Sequence, residues 1–315
     1  MSNALKDSLN NGDIINCRKN TKDSLVLRNL CQKNGELTHE GKVLAIAFSP
    51  LKKQAETLSL KIKKIEYGCK NYPKIKIKNY LSNFFDYTNP DHYKAIVSSE
   101  TLRQKIFPEI LIGNMLLELD EYNMVCFDEG SSIILLLSCM CYGEICKVWD
   151  DYNQEKYNDN DNRDIAYCTL GGIKLLALMN KKLGFYENLS QKLIKAVKSS
   201  HISDIENSFD KLKAIHPDIK DDNFSNKNCI GINKQFITSL YYALGNESLT
   251  NIIKLYLSDP NSFGKGWPDI TALTKDNSVK LIEIKTTDKL HISQIITFTE
   301  IAKYIQIEIL KVVNV

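Results

Sequence analysis

Asp269, Glu283 and Lys285 are the residues whose types and spacing could do chemistry together. The run Gly266-Trp267-Pro268-Asp269 leads into an apolar stretch at 270–273. Turn residues Lys275-Asp276-Asn277-Ser278 follow, then a second apolar stretch at 279–284 that contains Glu283, and then Lys285 and Gln294. Two β-compatible runs joined by such a turn predict a hairpin. Side chains two apart on a strand share a face, so Glu283 and Lys285 point one way while Ile282 and Ile284 point into the core. Asp269 precedes the first strand and stands near the same end of the hairpin. Two carboxylates can hold a hard divalent cation such as Mg²⁺ or Mn²⁺, which keeps some of its waters. Such a cation polarises a phosphate ester and acidifies a bound water. The Ile284 carbonyl, between the two side chains, is a further oxygen donor, and Lys285 can orient that water and offset charge on the phosphate. Glu-x-Lys alone is more often an ordinary pair of strand-face charges. Gly-x-Pro-Asp before the hairpin and a glutamine on the next helix favour a site.

These residues resemble the PD-(D/E)xK nucleases, with Pro268-Asp269 followed by Glu283-x-Lys285. Gly266 before and Gln294 after are similar to the VRR-NUC branch. Upstream, Phe127-Asp128-Glu129-Gly130-Ser131-Ser132 and the apolar run 133–140 resemble the segment that carries the first catalytic glutamate in Fanconi-associated nucleases, and 244–263 resembles their approach to the Pro-Asp. The resemblance covers about 120–315. It implies Glu129, Asp269, Glu283, Lys285 and Gln294 as catalytic residues, and Glu129, Asp269, Glu283 and the Ile284 carbonyl as ligands of Mg²⁺ or Mn²⁺. The implied activity is hydrolysis of DNA phosphodiester bonds, on flapped or branched DNA, in replication or repair. For the third acid, Asp128 next door and Glu247, closer in sequence to the hairpin, are the alternatives to Glu129. His291 stands where the family has a serine cap, and the tryptophan after the glutamine and the glycine before the last strand are missing.

The elements that must position these residues give an α/β expectation. A strand at 123–127, an apolar helix capped by Ser131 or Ser132, the hairpin, a helix at 292–304 and a strand over the last ten residues make a small mixed sheet flanked by helices, a restriction-endonuclease-like core. The core then spans 123–142 and 264–315, a helical insertion of about 120 residues occupies 143–263, and 1–119 form a separate, mainly helical domain. Within the insertion, 236–244 and 249–257 read as two helices parted by Gly245-Asn246, and 165–216 as largely helical. Residues 1–20 read as a loose, Asn-rich arm. Thr38 opens a helical stretch to residue 60 that Pro50 must start or kink. The insertion points to a monomer, because compact members of the family act as dimers.

The net charge of +3 is small, so contact with DNA must come from local patches. Residues 52–78 hold nine lysines against Glu56 and Glu66, a balance of +7. Lys61, Lys63, Lys64, Lys74, Lys76 and Lys78 are the candidate phosphate contacts, although a lysine run is as readily a solvated face. Nine cysteines, an odd number set in apolar runs, suit a reducing compartment better than a disulfide framework. Cys139-x-Cys141 with Cys146 fits no zinc spacing. No charged-then-apolar signal pattern opens the chain, and the apolar run 133–142 is about half a membrane span. A cytoplasmic or nucleoid-associated protein without membrane partners is the expectation. Two other readings share these residues: a DNA-degrading toxin held by an immunity protein, and a nucleic-acid-binding module with a silent nuclease core.

Overall fold

A computed structural model of the protein describes residues 1–67, 116, 121–147, 188–215, 219–220, 223–224, 232–285 and 289–314. Its centre is a five-stranded mixed sheet in the order β1-β7-β6-β5-β2. The strands are β1 (Lys61–Tyr67), β2 (Tyr122–Phe127), β5 (Ile270–Thr274), β6 (Val279–Lys285) and β7 (Gln306–Asn314). β2, β5 and β6 are antiparallel neighbours, while β7 runs parallel to both β6 and β1. A separate two-residue pair joins β3 (Ile219–Lys220) and β4 (Asn223–Phe224). The mixed α/β class, the strand at 123–127, the hairpin and the closing strand are as the sequence predicts. The hairpin turn places Asn277 at φ 59°, a conformation that asparagine tolerates better than most residues.

The helices are α1 (Ser2–Asn10), α2 (Lys19–Leu27), α3 (His39–Phe48), α4 (Leu51–Thr57), α5 (Ser131–Met140), α6 (Leu189–Ser199), α7 (Ile202–Ile215), α8 (Lys234–Ser258) and α9 (Ile292–Ile301). Thr38 caps α3 through Gly41 N–H, and Pro50 stands at the start of α4. Gly245 (φ 68°) kinks α8 into the two helical halves expected. One face of the sheet packs Leu273, Val279, Leu281, Ile307 and Ile309 against α3 to α9. The other face gathers Tyr122, Val125, Ile270, Ala272, Ile282, Ile284 and Leu310 around Leu116. β6 is therefore buried from end to end on both faces. The sequence pointed only Ile282 and Ile284 inward, yet the Glu283 face is enclosed as well.

Two expectations are corrected. Residues 1–20 are not a loose arm. Leu5 and Ser8 of α1 are buried, and Leu5 packs with Ile15, Leu25, Cys31, Leu37 and Ala45. The apolar residues that hold this segment are spread across three helices and their links, so no local run reveals them. The separation at 119/120 also cuts through the structure. β1 comes from the first expected domain, yet it adds to the sheet beside β7, pairing Lys61 with Glu308 and Ile62 with Ile309. The described helices of the expected insertion, α6, α7 and α8, share one apolar core with α3, α4 and the sheet. Cys139 and Cys141 are members of that core, and burial pushes both thiols up. Among the described residues no helix is long and apolar enough to cross a membrane. Within the expected helical domain, 68–115 and 117–119 lie outside the described residues, as do 148–187 and most of 216–231 within the expected insertion.

Candidate active site

The site forms where the loop before β5 meets α9. Gly266 sits at φ 71°, and a Cβ there would come within 2.4 Å of the Ser293 main chain. Only glycine lets the loop lie this close to the first turn of α9. Thr297 of α9 donates to the Lys265 carbonyl at 2.7 Å and holds the same approach. Trp267 is buried, stacks on Tyr256 with ring centroids 6.0 Å apart, and donates its indole N–H to the Phe263 carbonyl at 2.8 Å. Its ring closes on Gly130, where a Cβ would come within 2.5 Å. Trp267 thus locks the loop before Asp269 to the turn after β2.

The antiparallel register pairs Ile270 with Ile282, so one further step sets Asp269 across from Glu283. Asp269 Oδ2 accepts the Ile284 N–H at 2.7 Å. Glu283 Oε1 accepts from Lys285 Nζ at 2.8 Å and from Gln294 Nε2 at 2.6 Å. Glu283, Lys285 and Gln294 are all buried. The amide of Gln294 is fixed at both ends, because its Oε1 accepts the His291 N–H at 3.0 Å. That bond is one half of a capping box, made from His291 where the sequence offered no serine. Four of the five expected catalytic residues are therefore joined through hydrogen bonds and one ladder step. Asp269, Glu283 and the Ile284 main chain offer hard oxygen donors, the set that suits Mg²⁺ or Mn²⁺ with waters completing its shell.

The fifth residue stands differently. Glu129 N–H donates to the Asp269 carbonyl at 3.3 Å, beside the Asp128 N–H at 3.1 Å. Its main chain is therefore next to Asp269, held at φ 47°, but the residue is exposed. Among the described residues no group of three or more His, Cys, Asp or Glu side chains is disposed to hold a metal ion. The expected three-carboxylate cluster is thus not preformed. Glu247, the other alternative, is exposed at the α8 kink. Its neighbour Asn246 donates to the carbonyls of Lys198 and Ser200 at the end of α6.

Asp128 has a role the sequence reading missed. Ser131 and Ser132 do not cap α5; Gly130 occupies the N-cap position at φ 78° and no side chain caps from there. The Asp128 carboxylate does so instead, accepting Gly130 N–H at 3.2 Å, Ser132 N–H at 3.0 Å and the Thr271 hydroxyl at 2.9 Å. The signal was present in Asp-x-Gly-Ser-Ser, since aspartate is a favoured cap. Complete burial pushes the Asp128 carboxyl up to about 6 from its ordinary 3.8, against the pull of the Ser132, Thr271 and Gly130 donors. Between about pH 4 and 6 the unfolded chain releases this proton while the folded chain keeps it. Native stability should therefore fall by roughly 3 kcal/mol as pH rises through that window and level off above it. Melting curves of the wild type and Asp128→Asn between pH 4 and 7 check this: the wild type should show a downward component that the variant lacks.

Neither a protein-family model nor a curated protein sequence matches the chain. Among solved structures, a crystal structure of paFAN1 bound to 2nt 5′flap DNA with gap is similar at a TM-score of 0.42 and 14% identity. The match covers 66% of this chain and 35% of that one, so this chain spans about a third of that neighbour's length.

Proposed function

We propose that the protein is a metal-dependent nuclease that hydrolyses DNA phosphodiester bonds, built on a PD-(D/E)xK core of the VRR-NUC type. The observation that carries this reading is the convergence of Asp269, Glu283, Lys285 and Gln294 in one hydrogen-bonded group. Asp269 and Glu283, with the Ile284 carbonyl, would hold Mg²⁺ or Mn²⁺, and Glu129 would approach from the neighbouring turn. Bound there, the cation supplies charge neutralisation at the phosphate and an acidified water. Lys285 brings a buried positive charge next to Glu283, where negative charge on the phosphate would develop. Gln294 holds Glu283 in one rotamer. Flapped or branched DNA is the substrate class carried over from the sequence resemblance.

A plasmid-nicking assay tests the chemistry, and a panel of labelled flaps, forks, junctions and single strands tests the substrate. Cleavage is expected in Mg²⁺ or Mn²⁺ and none in excess chelator. Cleavage that persists unchanged in chelator, or absent cleavage across the whole panel with either metal, would overturn the reading.

Lys61 and Lys63 share one face of β1, while Lys64 lies on the other with Ile62, which packs on the main core. Lys63 pairs with Glu308 at 3.1 Å, and Glu308 is almost wholly buried and also faces Lys280 at 3.7 Å. Lys63 thus serves an internal carboxylate. Lys74, Lys76 and Lys78 lie outside the described residues. If Lys61 and Lys64 meet phosphates, replacing both with glutamine should lower the slope of log K against log salt by about 2, equally for all sequences. Lys63→Gln should instead show itself as a lower melting temperature. An unchanged salt slope in the Lys61/Lys64 variant would make this strand ordinary solvated surface.

A further inference from the structure

We infer that Gln54 is a positioning residue for the candidate active site: it sets the entry of α9 and thereby the hold of Gln294 on Glu283. Gln54 lies on α4, in the region expected to be a separate domain, and is completely buried. Its Nε2 donates to the Ile46 carbonyl at 3.1 Å, the Ala47 carbonyl at 3.4 Å and the Leu290 carbonyl at 3.3 Å. Its Oε1 accepts the Leu290 N–H at 2.9 Å. One side-chain amide thus grips both main-chain groups of a single residue 236 positions away, and ties it to the end of α3.

The grip acts where it matters for the site. Leu290 immediately precedes His291, the N-cap of α9. The His291 N–H is held by Gln294 Oε1, and the other end of that amide donates to Glu283. From Gln54 to the Glu283 carboxylate the path is one peptide unit and three side-chain hydrogen bonds. Beside it, Lys289 Nζ donates to the Phe48 carbonyl at 3.4 Å, a second tie from the same loop to the end of α3. Packing alone does not require an amide at position 54, since its neighbours Leu51 and Ala55 belong to the apolar core. A buried glutamine is costly unless all its polar atoms are used. Here both ends are used, and they fix the direction of the chain as well as its distance.

The catalytic part of this inference rests on the nuclease reading; the positioning part does not. Gln54→Met keeps volume and removes every hydrogen bond, so the test is a double-mutant cycle of Gln54→Met with Gln294→Ala on the full-length protein. Three things are measured: kcat and KM in saturating Mg²⁺, hydrogen exchange of the His291 amide, and the NMR signal of the Gln294 side-chain amide. Gln54→Met should lower kcat about tenfold with KM nearly unchanged, the scale seen for groups that orient ligands from behind. In the Gln294→Ala background it should lower kcat no further, because the two act through one path. It should also speed His291 exchange and move the Gln294 amide signal. Additive effects on kcat, or a folded Gln54→Met with unchanged exchange and an unchanged Gln294 signal, would overturn the inference. Should Gln54→Met fail to fold, Gln54→Asn, whose amide falls one methylene short of Leu290, takes its place in the same cycle with the same readings. If the wild type cleaves nothing, the nuclease reading fails, and the exchange and NMR readings still decide whether Gln54 positions Gln294.

Discussion

Asp269→Asn should abolish Mg²⁺-dependent cleavage and leave the fold in place. The substitution removes a charge without removing an acceptor, since the asparagine Oδ1 can still take the Ile284 N–H that Asp269 Oδ2 takes at 2.7 Å. What it loses is half of the carboxylate pair. A divalent cation contributes several kcal/mol of charge stabilisation to the transition state, and each 1.36 kcal/mol is about a factor of ten. The loss should therefore reach about 10³-fold or more, with melting temperature close to wild type and Mn²⁺ binding by calorimetry sharply weakened. Glu283→Gln should be as inactive but less clean, because it leaves the Lys285 ammonium at 2.8 Å from a neutral group in a buried site. Glu129→Gln should cost less, about 10–100-fold, because Glu129 is exposed, whereas Glu283 is buried. Wild-type cleavage by folded Asp269→Asn would remove this site from the chemistry altogether. Wild-type cleavage by Glu129→Gln would remove only the third acid.

Lys285→Met should cut the rate by about 10²–10³, the usual consequence of losing one preorganised charge at a reacting group, with DNA affinity little changed. Methionine keeps the aliphatic body of the side chain and loses the ammonium. The structure adds a second expectation that the sequence did not offer. Lys285 and Glu283 are both buried and paired, and removing one partner of such a pair costs on the order of 3 kcal/mol. A cation bound at Glu283 would compensate for the lost ammonium. Mg²⁺ should therefore raise the melting temperature of Lys285→Met more than that of the wild type. If the variant cleaves at the wild-type rate, the lysine is a structural counter-ion only. If Mg²⁺ stabilises both proteins equally, the cation does not bind beside Glu283.

Much of the site was legible because its residues are close together in sequence or set by strand period. A two-residue repeat alone puts Glu283 and Lys285 on one face, and hairpin turn chemistry alone brings Asp269 back to them. The need for Gly266 could be suspected from its motif, but the reason for it, the Ser293 main chain pressed against it, exists only once α9 is docked. Asp128 was weighed only as an alternative third acid; its cap on Gly130 and Ser132 is local, but its bond to Thr271, 143 residues away, appears only in the folded sheet.

By itself the sequence determined the mixed α/β class, the hairpin, the closing strand and the grouping of Asp269, Glu283 and Lys285, since each depends on local propensity and periodicity. Only the tertiary structure decided that β1 joins the sheet, because a parallel strand pair has no turn between its partners to announce it and its lysines read as a solvated run. Only the tertiary structure decided that β6 is buried on both faces, that Glu129 stands exposed beside Asp269 rather than in a ready cluster, and that Gln54 reaches Leu290 across the chain. Each of these depends on groups far apart in sequence filling one another's hydrogen bonds or apolar surface, and such pairings leave no periodic trace in the segments that make them.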